Sequence, residues 1–202
     1  MPLPFLIPGI ITYVAVKKAH ARGKKQGRDE ATEEYSATVN ELKNKLQKMQ
    51  RQREKTKNGF KEVINGIAEI ETNDANFFSK VASLSKGYTQ FHLYVITCIS
   101  YCRYQILQKK IPKRDSDELK DIVLGLVQTG FPDNLKNEVD IVWQCKDKDQ
   151  VLTTYHKYKG KLNKNLKLSI EDTILKLNEY LQGYAELSSQ TRKFEKEIAA
   201  AS

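Results

Sequence analysis

Few residues in this chain have the type and spacing to do chemistry. The three cysteines are Cys98, Cys102 and Cys145, an odd number that does not make a disulfide framework. Cys98 and Cys102 stand four apart among apolar neighbours, so they read as small buried hydrophobes on one helical face in a reducing compartment. A metal pair at that spacing needs two further ligands. His92 lies six residues before Cys98, out of phase for that role, and no CxxC or HxxxH occurs. His20 sits in a basic tail, and no histidine has a carboxylate or thiol placed to orient it. The acids around Asp115 and Asp147 lack the glycine and terminal glutamate of a calcium loop, which leaves them capping and turn roles. GxGxxG, Walker-type, GxSxG and HExxH patterns are absent. The sequence therefore reads as non-enzymatic, with no metal and no cofactor expected.

Binding chemistry is better represented. Residues 1–16 carry no charge and read MPLPFLIPGIITYVAV; residues 17–28 hold Lys17, Lys18, Arg22, Lys24, Lys25 and Arg28 and no acid. A cleaved signal peptide has the reverse order, with cations first and a small-residue site last, so the segment is expected to be retained. It is shorter than the roughly 20 apolar residues that span a bilayer, and Pro4 and Pro8 interrupt it early. The expected membrane-contacting residues are Leu3, Phe5, Leu6, Ile7, Ile10, Ile11, Tyr13, Val14 and Val16. The six bases that follow are expected to bind anionic lipid head groups, each adding roughly 1 kcal/mol near such a surface. The competing reading folds residues 1–16 back over an apolar face of the protein itself.

Tyr155, His156 and Tyr158 lie among Lys157, Lys159, Lys161 and Lys164, a pattern that can serve single-stranded nucleic acid. Packed tyrosines beside lysines whose heads reach for water explain it more simply.

The elements that would position these groups are helices. Tyr35, Val39, Leu42, Leu46, Met49, Arg53, Thr56, Phe60, Val63, Ile67 and Ile70 step alternately four and three residues, and nine of the eleven are apolar. At 40% apolar composition, chance gives about four. The stretch reads as one rod roughly 50 Å long. Its wettest part is expected at Arg53 and Thr56, with Lys43, Lys45, Lys48, Arg51, Lys55 and Lys57 around them.

Thr72, Asn73 and Asp74 signal a bend. A second seam follows at Phe77, Val81, Leu84, Tyr88, Phe91, Val95, Cys98 and Cys102, and from Phe91 to Leu107 the other faces are apolar too, as in a central helix. A buried strand over FHLYVITCIS is the alternative. Ile111-Pro112 ends that helix and Ser116 starts another, carrying Leu119, Ile122, Val123, Leu126 and Val127 and stopping at Gly130. Leu135, Val139, Val142 and Trp143 mark a further short helix, and residues 151–165 a basic one. Ser169 with Glu171 and Asp172 is expected to open the last long helix, whose stripe Ile170, Ile174, Leu177, Leu181, Tyr184, Leu187, Phe194 and Ile198 shifts face after Leu181. The tail from Ala199 is expected to fray.

A chain of 202 residues with 29% charged residues and five prolines is a folded, helix-rich protein. The expected architecture is all-α, an elongated antiparallel bundle or coiled coil of three long helices over residues 29–202, with short helices near 116–146 as a cap and residues 1–28 as an apolar and basic leader. The net charge of +9 suggests an anionic partner. The functional expectation is a bacterial-type scaffold or assembly protein on the cytoplasmic face of a membrane. It would hold the bilayer through its N-terminus, and itself or a protein partner through the heptad seams. It would be soluble in the cytoplasm if the leader is buried instead. An α-helical pore-forming component comes second, and a basic nucleic-acid binder using residues 43–61 and 157–167 third.

Overall fold

Two prolines and two side-chain caps divide the middle of the chain into short helices. A computed structural model describes the backbone of residues 25–73, 90–127 and 131–201, and the side chains of 35–69, 90–127 and 131–200. Among the described residues the protein is all-helical and has no strand. The six helices are α1 (Lys25–Asn73), α2 (Gln90–Gln108), α3 (Lys113–Leu124), α4 (Asp133–Gln144), α5 (Lys148–Gly160) and α6 (Lys164–Ala201). Pro112 and Pro132 immediately precede α3 and α4, where a fixed φ is already helical and the missing N–H costs nothing. Asp147 caps α5 by accepting from the Asp149 and Gln150 N–H groups at 2.9 and 3.4 Å, the capping role expected of that acidic cluster.

Several boundaries differ from the sequence expectation. Helix α1 already includes Lys25, ahead of Asp29. Helix α3 begins at Lys113, and Ser116 lies inside it, its N–H bonded to the Pro112 carbonyl at 2.7 Å. It ends at Leu124, with Gly125 in ordinary right-handed backbone, so Leu126 and Val127 cover the core from the turn beyond. The expected stop at Gly130 lies outside the described residues. Helix α6 opens at Lys164, five residues before Ser169, because the Asn163 side chain accepts the Leu166 N–H at 2.9 Å. At its far end it stays helical to Ala201, in keeping with alanine's helix propensity.

The chain divides into two compact units, Met1–Met49 with Thr191–Ser202, and Gln50–Gln190. In the first unit the seam residues Val39, Leu42, Leu46 and Met49 are half-buried, as are Phe194 and Ile198, and Tyr35 is exposed. Among the described residues, every fully buried apolar side chain lies in the second unit.

There α2 is the centre. Leu93, Tyr94, Val95, Ile96, Cys98, Ile99 and Cys102 are fully shielded, and α3, α4 and α5 all pack against this helix. The strand alternative for FHLYVITCIS is thereby excluded. Helices α1 and α6 run in opposite directions where they meet, Thr56 facing Gly183 and Gly59 facing Tyr180. The stripe of α6 does not shift after Leu181. It keeps its four-and-three step through Tyr184, Ser188 and Thr191, while Leu187 is only half-buried.

Candidate functional site

Arg53 occupies a core position of the α1 seam, and the structure corrects the expectation that this is the wettest stretch. Its side chain keeps only 15% of its exposure. Burial of a cation demands compensation, and two helices, α3 and α6, supply it. The guanidinium lies 3.5 Å from the Asp115 carboxylate and donates to both oxygens of Glu118 at 3.2 and 3.3 Å. Lys57, one turn along α1, approaches Glu118 at 3.6 Å. From α6 the Tyr184 hydroxyl donates to Glu118 at 3.0 Å, and its ring lies under the guanidinium, 5.5 Å from the centroid. Asp115 and Glu118, three apart in α3, share one helical face.

Burial acts to raise the Glu118 carboxyl, but the Tyr184 hydrogen bond and the charges of Arg53 and Lys57 outweigh it and hold the group below its ordinary range. Burial pushes the Tyr184 hydroxyl up, with Arg53 opposing and Glu118 assisting. The cluster is an ionic clasp joining α1, α3 and α6.

Farther along the same pair of helices, α1 and α3 part into an open cleft of about 330 Å³. Ile64, Ile122 and Leu126 give it an apolar floor, and Lys61, Asn65 and Asp121 are among its polar walls.

The aromatic and basic stretch of α5 is committed internally. Tyr155 and Tyr158 are buried, 5% and 1% exposed. Lys157 and Lys161 lie over the Tyr158 ring at 4.8 and 5.5 Å, and Lys159 lies over Tyr155 at 5.4 Å. Lys157 also meets Glu138 at 3.6 Å, and Lys159 pairs with Glu171. The faces of these rings are therefore not available as a platform for bases.

Cys98 and Cys102 are free and buried, and burial pushes both thiols up. Cys145 is half-exposed. His92 packs edge-on against Phe131 at 4.9 Å, and burial lowers its pKa. Among the described residues no group of three His, Cys, Asp or Glu side chains could hold a metal ion. No described helix is long and apolar enough to cross a membrane.

The expected membrane-contacting residues Leu3, Phe5, Leu6, Ile7, Ile10, Ile11, Tyr13, Val14 and Val16 lie outside the described residues, as do Lys17, Lys18, Arg22 and Lys24. The backbones of Lys25 and Arg28 belong to α1.

Comparison with family models, characterised proteins and solved structures gives no match for this chain.

Three polar side chains have structural roles that the sequence reading did not assign. Gln90 is buried and clasps the turn between α5 and α6, donating to the Lys161 carbonyl at 3.3 Å and accepting the Asn163 N–H at 2.8 Å. Arg103 donates to the Cys145 carbonyl through two nitrogens at 3.2 and 2.7 Å, satisfying the end of α4. Arg53 is the third. Its lone charge in an apolar seam was a visible signal, as was an acidic pair at helical spacing in α3.

Proposed function

We propose that this protein is a non-enzymatic helical scaffold that holds a bilayer through its N-terminal segment and presents its long helices to further copies or to a partner. The observation that carries the reading is the segregation of charge. Residues 17–28 contribute +6 of the net +9 directly after sixteen uncharged residues, leaving +3 for the other residues. An apolar stretch followed at once by cations suits the boundary between acyl chains and anionic head groups.

The described helices support the scaffold half of the proposal. The Arg53 clasp and the shielded α2 make the second unit a firm support, while the half-covered seam of the first unit, with Tyr35 exposed, leaves apolar surface for another chain to cover. An elongated antiparallel bundle is the arrangement that fits both. The lysines of residues 157–161 stand over buried rings, which weighs against the nucleic-acid reading.

Flotation with liposomes tests the proposal. The full chain should rise with vesicles containing phosphatidylserine and much less with phosphatidylcholine alone. Removing residues 1–24, or replacing Lys17, Lys18, Arg22 and Lys24 with glutamate, should abolish flotation. Equal flotation of intact and shortened chains overturns the reading. Dye leakage on binding would favour a pore-forming component over a scaffold.

A further inference from the structure

The outward face of α6 carries two leucines that stand exposed among the described residues. Leu168 and Leu175 are 64% and 59% exposed, two of the four large apolar side chains exposed among the described residues. Together with Asp172 and Glu179, both exposed, they form a four-and-three stripe opposite the buried Ile170, Ile174, Leu177 and Leu181. The stripe is acidic along its middle, with Lys176 at its edge. Neighbouring Glu171 is already held by Lys159.

The complementary surface is on α1. Arg51 and Lys55 are exposed, four apart, on the side away from the Arg53, Thr56 and Phe60 seam. Glu54 between them is held by Lys57 at 2.8 Å. Helices α1 and α6 meet antiparallel through Thr56 against Gly183 and Gly59 against Tyr180, which sets Arg51 and Lys55 level with residues 184–188, past the end of the 168–179 stripe, so the two patches do not pair within one chain.

We propose that the Leu168, Asp172, Leu175 and Glu179 face of α6 docks Arg51 and Lys55 of a second copy of this chain. The carboxylates pair with the cations, and the aliphatic stems of Arg51 and Lys55 cover the leucines. Each copy carries both faces, so every contact joins the acidic face of one copy to the basic face of another. The inference rests on the assembly half of the proposed function and not on lipid contact, and its test contains no lipid. Loss of flotation leaves it standing, and its own failure leaves the lipid reading standing.

The test is sedimentation velocity of the full chain over a concentration series at low ionic strength. The wild type should form larger species as concentration rises. Asp172→Lys with Glu179→Lys, and separately Arg51→Glu with Lys55→Glu, should each weaken self-association by about tenfold or more, because like charges then face each other. Mixing the two variants should restore it, each supplying the face that the other lacks. Leu168→Gln with Leu175→Gln, which leaves every charge in place, should weaken association as well. A wild type that stays monomeric, reversal variants that associate as tightly as wild type, a mixture that does not recover, or an unaffected leucine variant would each overturn the proposal.

Discussion

Two glycines one heptad apart in α1, Gly59 and Gly66, make the packing of the second unit measurable, because the same substitution should act with opposite sign at each. Glycine inside a helix costs about 1 kcal/mol relative to alanine. At Gly66 an added Cβ meets nothing within 4 Å, so Gly66→Ala should recover that amount and stabilise by roughly 0.5–1 kcal/mol. At Gly59 the same atom would lie 2.6 Å from Cζ and 2.9 Å from the hydroxyl of Tyr180, well inside the 3.5–4.0 Å of a favourable contact. Tyr180 is only half-buried, so its ring can swing aside, and the overlap should cost at the ordinary overpacking level of about 1–3 kcal/mol. After the helix-propensity gain, Gly59→Ala should be destabilising by up to about 2 kcal/mol, a fall in Tm of a few degrees for a chain of this size.

The assay is urea unfolding followed by the fluorescence of Trp143, the sole tryptophan, buried in the same unit as both glycines. Tyr180→Leu in the Gly59→Ala background should return part of the loss as a coupling energy in a double-mutant cycle. If Gly59→Ala stabilises as Gly66→Ala does, the close approach of α1 and α6 is refuted.

Further outcomes follow from the clasp and the thiols. Arg53→Ala should destabilise by about 2–3 kcal/mol in the same urea assay, less than the loss of a fully buried partner, because Glu118 is part-exposed and still faces Lys57 at 3.6 Å. Arg53→Lys should recover only part of it, since a single ammonium does not bridge Asp115 and Glu118 as the planar guanidinium does. The Glu118 carboxyl titrates lower when folded than when unfolded, so its contribution is complete above the ordinary glutamate range and is lost as pH falls through the lowered value. Unfolding free energy should therefore decline on acidification, and Glu118→Gln should make that decline shallower in urea titrations at successive pH values. Ellman's reagent should label Cys145 in the native protein and reach Cys98 and Cys102 only in denaturant, because both are fully shielded; rapid native labelling of all three thiols would contradict the placement of α2.

The features legible in the sequence were those set by local periodicity. The four-and-three seam of α1, the all-round apolar surface of α2 and the apolar faces of α3 and α4 follow from residue spacing alone, and each is a helix whose face is buried or half-buried within the second unit. Helix starts were less legible because capping is a competition. Ser169 is a good cap by type, but Asn163 sits in a turn that the Gln90 side chain fixes from seventy-three residues away, so the helix opens there and the Ser169 hydroxyl faces Tyr94 at 3.4 Å instead. The stripe of α6 shows the same ordering of causes. Leu187 outranks Ser188 by polarity, yet a rigid helix already aligned through Leu177, Leu181 and Tyr184 turns position 188 inward whatever residue it holds. Register therefore decides burial before side-chain chemistry does.

Arg53 extends that logic from geometry to charge. A cation that register forces into a seam must be answered by acids at helical spacing on another element, and Asp115 with Glu118 is a pair three residues apart in α3, with Asp115 in its first turn, where an acid also suits the helix dipole. A seam charge read together with such a pair is a prediction of tertiary contact, and it would have placed α3 beside α1 without any long-range pattern in the sequence.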